Sequence, residues 1–174
     1  PAASTVTGQA HGPLYLHPAS PVWAAPDIPV VAFSVGEEER AGIDTGPLVG
    51  HLAAWNYFMS VDSPINAEFI KNWHAFIKND KRVTNDPMEA HFIGFNMWVK
   101  GVEKAQSFEA DKVIPAMIGV AVPNLTGGMS KMLPNHHITK PLDHGEVQAE
   151  RQFNPGWPTL GPPNRPGPSP WCSS

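Results

Sequence analysis

The period of the apolar positions changes along this chain, and each change predicts an element. IPVVAFSVG (28 to 36) is a β-branched apolar run closed by a glycine, the pattern of a buried strand whose end delivers Ser34 into a loop. GHLAAWNYFMS (50 to 60) is a second apolar, aromatic-rich segment of strand length. The period then becomes helical. In SPINAEFIKNWHAFIKND, Ser63 suits an N-cap and Pro64 the first helical position, while Ile65, Phe69, Trp73, Phe76 and Ile77 form one apolar face. This predicts a helix over residues 63 to 78. A second helix, over 86 to 105, opens at DPME with Asp86 as cap, Pro87 at the first position and Glu89 placed as in a capping box. Trp73 and Phe92 are the expected buried aromatics of the pair. A third, shorter helix runs from Asp111 to about Ile118 and stops at Gly119, with Pro115 inside it. GGMSKMLP, HHITKP and GEVQAERQF then read as short extended segments of a small β-meander. Strands followed by helices and a meander make the class α/β.

Composition divides the chain into three zones. Of its 20 prolines, six lie in residues 1 to 30 and seven in residues 151 to 174. Neither end shows a sustained period, so residues 1 to 27 and 154 to 174 are expected to be irregular, around a folded region from 28 to 153.

Charge and candidate chemistry then narrow the function. A net charge of -4 without a Lys/Arg cluster argues against nucleic acid as a partner. No apolar run has the length of a membrane span, and the single Cys172 makes no internal disulfide. The pair His136-His137 invites a metal reading, with His144 and Asp143 as further ligands across a hairpin. Adjacent residues of an extended segment face opposite ways, and the set lacks the short ligand spacings of zinc sites. No metal and no other cofactor is expected. The chain also lacks a G-x-S-x-G elbow, an H-E-x-x-H helix and a cysteine in a catalytic setting, so it is not read as an enzyme.

The runs VVAFSVGEEE, GIDTGPLVGHLAAWNYFMSVDSP, TNDPMEAHFIGFNMWVKGVEKA and VPNLTGGMSKMLPNHHITKP resemble the C-terminal half of urea-type substrate-binding proteins of bacterial ABC transporters. They are more distantly similar to short-chain amide sensors of the same fold. The resemblance covers roughly residues 28 to 142 and leaves out both ends. It implies a partial type I periplasmic binding fold, in which two α/β lobes close on a small ligand. It further implies a periplasmic protein that hands a small neutral amide to an inner-membrane permease without chemistry. The alternatives are a cytoplasmic amide-sensing regulator of the same fold, or an incomplete fragment with no independent binding. The family's N-terminal half is absent from the match, so open sheet edges and an uncovered apolar face are expected, answered by self-association or by a missing N-terminal lobe. Where the family has an apolar stretch this chain has Leu142, Asp143 and His144, and Glu150-Arg151 stands where an Asp-Gly turn is usual.

A urea or amide site must replace each lost water bond with a directed donor or acceptor. Ser34, Glu37 and Tyr57 have that chemistry at segment ends, and by resemblance Ser34 reaches the cleft. Asn56 and Glu89 complete the expected ligand-binding set. Each has a plainer role open to it: Ser34 and Glu37 suit the cap of a helical turn at GEEER, Asn56 suits hinge packing beside Trp55, and Glu89 suits the capping box.

Overall fold

A computed structural model describes residues 2 to 4, 29 to 33, 35 to 40, 46 to 149 and 153 to 155. Its main sheet has five strands in the order β1-β2-β3-β6-β7. They are β1 (Ala2–Ser4), β2 (Val30–Phe33), β3 (Leu52–Trp55), β6 (Asp143–Val147) and β7 (Phe153–Pro155). The first three run parallel, with Val31 opposite Leu52 and Phe33 opposite Ala54; β6 and β7 are antiparallel additions, with Ala54 opposite His144. β-Branched residues suit β2 because it is paired on both sides, burying Val30 and Ala32. The buried Nδ1 of His51 accepts the Val30 amide at 3.0 Å, which fixes the start of β2 beside β3.

Three helices of two turns or more lie between β3 and β6. They are α2 (Pro64–Ile77), α3 (Asp86–Ala105) and α4 (Ala110–Met117); the four-residue α1 (Glu37–Arg40) follows β2. Ser63 caps α2 as the sequence predicts, its hydroxyl accepting the Asn66 amide. α3 begins one residue out of register with its predicted cap. Asn85 is the N-cap, accepting the Met88 amide, so Glu89 is displaced from the capping-box position. α4 tolerates Pro115 in its second turn, and Gly119 beyond it takes a positive φ of 82°.

The predicted meander divides between two sheets. β5 (Met129–Lys131) pairs with a short β4 (Ala121–Pro123) that the periodicity does not announce, whereas β6 and β7 join the main sheet. Within the N-terminal zone expected to be irregular, residues 2 to 4 form an edge strand, and the rest of the zone up to residue 27 lies outside the described residues. β7 likewise carries order across the predicted boundary at residue 153.

Among the described residues, two clusters of buried apolar side chains form. One packs Phe58 on Phe153, ring centroids 4.6 Å apart, with Ala32, Ala53 and Val147 from the sheet. The other sets Ile93 and Met97 of α3 on Val122 and Met132 of the small sheet. α3 and α4 cross closely at Gly101, where an added Cβ would lie 2.5 Å from Met117 Cγ and 3.2 Å from Val113 Cγ1. Trp73 is only half-buried and Phe92 is exposed to 39%, against expectation. The stripe on α2 and α3 is apolar, but the described residues do not cover it.

Gly101→Ala should destabilise the chain by about 1–3 kcal/mol through overpacking. Adding Met117→Ala should recover part of that loss in denaturant unfolding, and full additivity of the two changes would contradict the close crossing.

Candidate functional site at the carboxyl ends of the parallel strands

β2 and β3 end side by side and release their chains in the same direction. After β2 come Val35, Gly36 and Glu37; after β3 come Asn56 and Tyr57. In open α/β sheets this edge is where ligands sit. Ser34, the next residue in the sequence after β2, lies outside the described residues.

Glu37 is the exceptional group here. Its side chain is buried, and its Oε1 accepts from the Ser60 amide at 3.2 Å and from the Ser60 hydroxyl at 3.4 Å. Its Oε2 is shut from solvent with no hydrogen-bond partner among the described residues. Burial pushes the carboxyl above its ordinary range, and backbone and Ser60 hydrogen bonds pull it back only in part. It is an acceptor with unused capacity on a strand-end segment.

The other predicted residues are more fully engaged. Asn56 is half-buried and donates from Nδ2 to Pro141 O at 2.7 Å, which holds the exit of β3 against the entry to β6. Tyr57 is wholly buried. Its hydroxyl lies 2.8 Å from Asn66 Oδ1 and 2.7 Å from Thr84 Oγ1. The Asn66 oxygen can only accept, so the single phenolic proton goes there and Thr84 donates to Tyr57. Burial holds the phenol well above its usual range, with the charges of Glu37 and Glu89 adding to the effect.

Glu89 lies within a separate buried cluster. Lys140 Nζ is 2.7 Å from Asp86 Oδ1 and 2.5 Å from Glu89 Oε2, and all three side chains are nearly or fully buried. The Leu125 amide reaches Glu89 Oε1 at 3.3 Å. Burial raises the Glu89 carboxyl, opposed by the attraction of Lys140 and its hydrogen bond. The expected capping role of Glu89 is thus replaced by an ion pair that no local pattern foretells.

Ser60, Asn66, Thr84 and Lys140 are the residues that sequence reasoning passed over. Asn66 is the informative one: it is the only buried residue of α2, and its Nδ2 donates to Met59 O and Val61 O. An amide beside a helix start in an otherwise apolar stretch carries that signal faintly.

The histidine pair lies elsewhere. His136 has a positive φ of 61° in a tight turn where its amide donates to Leu133 O, and both rings are exposed. Asp143 and His144 project from opposite faces of β6, one buried and one exposed. Among the described residues no group of three or more His, Cys, Asp or Glu side chains is placed to hold a metal ion.

Comparison with known proteins sets this geometry in context. The family model for the periplasmic binding protein domain matches residues 2 to 173, well beyond the 28 to 142 of the sequence resemblance. An amino acid ABC transporter substrate-binding protein from Pseudomonas fluorescens superposes with a TM-score of 0.74 at 18% identity, covering 94% of this chain and 46% of its own. A leucine binding protein from Thermotoga maritima gives 0.65 at 14% identity, covering 91% and 44%. A solute binding protein from Rhodopseudomonas palustris, in complex with 3,4-dihydroxybenzoic acid, gives 0.71 at 14% identity, covering 90% and 44%. The chain therefore spans less than half the length of these structures. Among curated proteins, a limonene hydroxylase of Geobacillus stearothermophilus is 24% identical over 113 residues, which are 65% of this chain and 20% of that protein. At such identities the structures establish the fold alone.

Lys140→Met should cost about 3–5 kcal/mol, because it leaves Glu89 buried beside Asp86 without a cation. The loss should shrink as the pH falls and Glu89 takes up a proton, and Glu89→Gln in the same background should recover part of it. Denaturant unfolding across that pH range checks the sign; a loss that grows on acidification would contradict the arrangement.

Proposed function

The chain belongs to the periplasmic binding protein domain family, and we propose from that premise that it forms part of the solute-binding component of an ABC transporter. In this reading it works in the periplasm and presents a small solute to an inner-membrane permease. The solute sits at the carboxyl ends of β2 and β3 and leaves chemically unchanged. The observation that carries the reading is the buried Glu37 carboxyl with one oxygen unpartnered at that edge.

That oxygen favours particular solutes. A carboxylate receives N–H donors and repels another carboxylate, and in a dry site the repulsion is weakly screened. The 3,4-dihydroxybenzoate seen in the Rhodopseudomonas protein has an acidic group with no N–H donor. Urea and short-chain amides offer N–H groups and no charge, so the finer form of the proposal is a urea or short-amide site. Ser34, Glu37 and Asn56 face the solute in this scheme. Tyr57 and Glu89 contribute from behind it, since their polar atoms are bonded to Asn66, Thr84, Leu125 and Lys140. Affinity is bounded by size: at about 1.5 kcal/mol per heavy atom, urea reaches roughly 6 kcal/mol, or a Kd on the order of tens of micromolar.

Calorimetry on the protein with both halves of the fold tests this, using urea, acetamide, leucine and benzoate. Urea or acetamide should saturate the site and benzoate should not. Glu37→Gln should weaken binding by about tenfold or more, the worth of a hydrogen bond to a charged acceptor. Because an N–H donor prefers the ionised carboxylate, wild-type affinity should rise with pH through the raised titration range of Glu37, and the variant should lose that dependence. Tight benzoate binding, or an unaltered Kd in Glu37→Gln, would contradict the proposal.

A further inference from the structure

One loop, residues 78 to 85 between α2 and α3, bonds the segments that leave both β2 and β3. Its last two residues serve different strands. Thr84 is buried; its hydroxyl bonds Tyr57, just past β3, at 2.7 Å, and its amide donates to the Met59 sulfur at 3.4 Å. Asn85 reaches the segment past β2, where its Nδ2 donates to Glu38 Oε2. Consecutive residues thus hold the two segments at which the solute is proposed to sit.

Asn85 does this while capping α3. Its Oδ1 accepts the Met88 amide at 3.0 Å, which leaves Nδ2 for Glu38. An amide side chain carries an acceptor and a donor side by side on one planar group, whereas an ionised carboxylate only accepts. Asp86 could cap a helix as well as Asn85 does, but it would repel Glu38 where Asn85 donates to it. The need for a donor at this point accounts for a helix that starts from Asn85.

The contact bears on Glu37 because α1 cannot hold its own geometry. Its four residues amount to a first helical turn, the unfavourable step of helix formation. Glu37 turns inward to Ser60 while its neighbour Glu38 meets the loop, so holding one carboxylate fixes the backbone that carries the other. Arg82 also pairs with Glu38 at 3.4 Å, but these side chains are 61% and 40% exposed and the pair holds little. We infer that Asn85 is a positioning residue of the solute site: by holding Glu38 it keeps the Glu37 carboxylate seated on Ser60, with Oε2 left for the solute. The inference rests on the solute reading above for its purpose and on the hydrogen bonds alone for the contact.

A polarity swap in the protein with both halves of the fold tests it. Asn85→Asp keeps an acceptor for Met88 and sets a carboxylate against Glu38; adding Glu38→Gln returns one donor to the pair, now pointing the other way. In Asn85→Asp the Ser60 amide, which has Glu37 as acceptor, should exchange about tenfold faster, the worth of a hydrogen bond to a charged group, while the Met88 amide is unaltered. Glu38→Gln in that background should restore Ser60, and Arg82→Ala alone should leave it as it is. Calorimetry with urea should follow the same order, its Kd raised about fivefold in Asn85→Asp and recovered in the double variant, since a loosened acceptor must be ordered on binding. Faster exchange at Ser60 and Met88 together would make Asn85 a helix cap alone and overturn the proposal. So would an unaltered Ser60 amide in Asn85→Asp, no recovery in the double variant, or an unaltered urea Kd beside a loosened Ser60. The exchange measurement needs no solute: a protein that binds no urea refutes the solute reading, and Ser60 still decides whether Asn85 holds Glu37.

Discussion

Lys140 lies between Asp86 and Glu89 in a nearly dry space, and much of the structure depends on that contact. Taking three charges out of water is costly, and the cluster persists because one ammonium group meets both carboxylates. Glu89 also receives the Leu125 amide, Leu125 O accepts the Ser63 hydroxyl at 2.6 Å, and Ser63 caps α2 at Asn66. Asn66 in turn receives Tyr57, which follows β3. One chain of polar contacts thus joins the entry to β6, the start of α3, the β4–β5 turn, the start of α2 and the exit of β3. It fastens the two apolar clusters to each other at the edge where Glu37 lies.

This order explains why the strand-end site can hold an unpartnered carboxyl oxygen. A buried acceptor with no donor is destabilising by itself, of order 1–3 kcal/mol, and persists where surrounding structure overdetermines it. Ser60 supplies two donors to the opposite oxygen, and the neighbouring Tyr57 is fixed by Asn66 and Thr84. On the proposed reading this rigidity matters, because a small solute has few atoms with which to compensate the ordering of loose groups.

Local patterns in the sequence reveal what is locally determined. Ser63, Pro64 and the proline of α3 announce their helices because caps depend on a few adjacent atoms. The start of α3 reads one residue late since both Asn85 and Asp86 can cap; the structure uses Asn85 and leaves Asp86 to meet Lys140, 54 positions away. Nothing adjacent to Lys140 signals such a partner. β4 is three residues ending in proline, and β1 lies in a proline-rich stretch, so both are strands by pairing more than by propensity. The exposure of Phe92 and the half-burial of Trp73 have another cause. A stripe shows that a face seeks cover, not where the cover comes from.

The central claim is that solute contacts the carboxyl ends of β2 and β3, while the Lys140 cluster serves as scaffold. Hydrogen exchange on the protein with both halves of the fold, with and without saturating urea or acetamide, tests it most directly. The account predicts slowed exchange in the segments 33 to 37 and 56 to 61, with the amides around Leu125 and the first turn of α3 already protected and unaltered. Protection centred on Leu125, Glu89 and Lys140, or none at the strand ends under saturation, would contradict it.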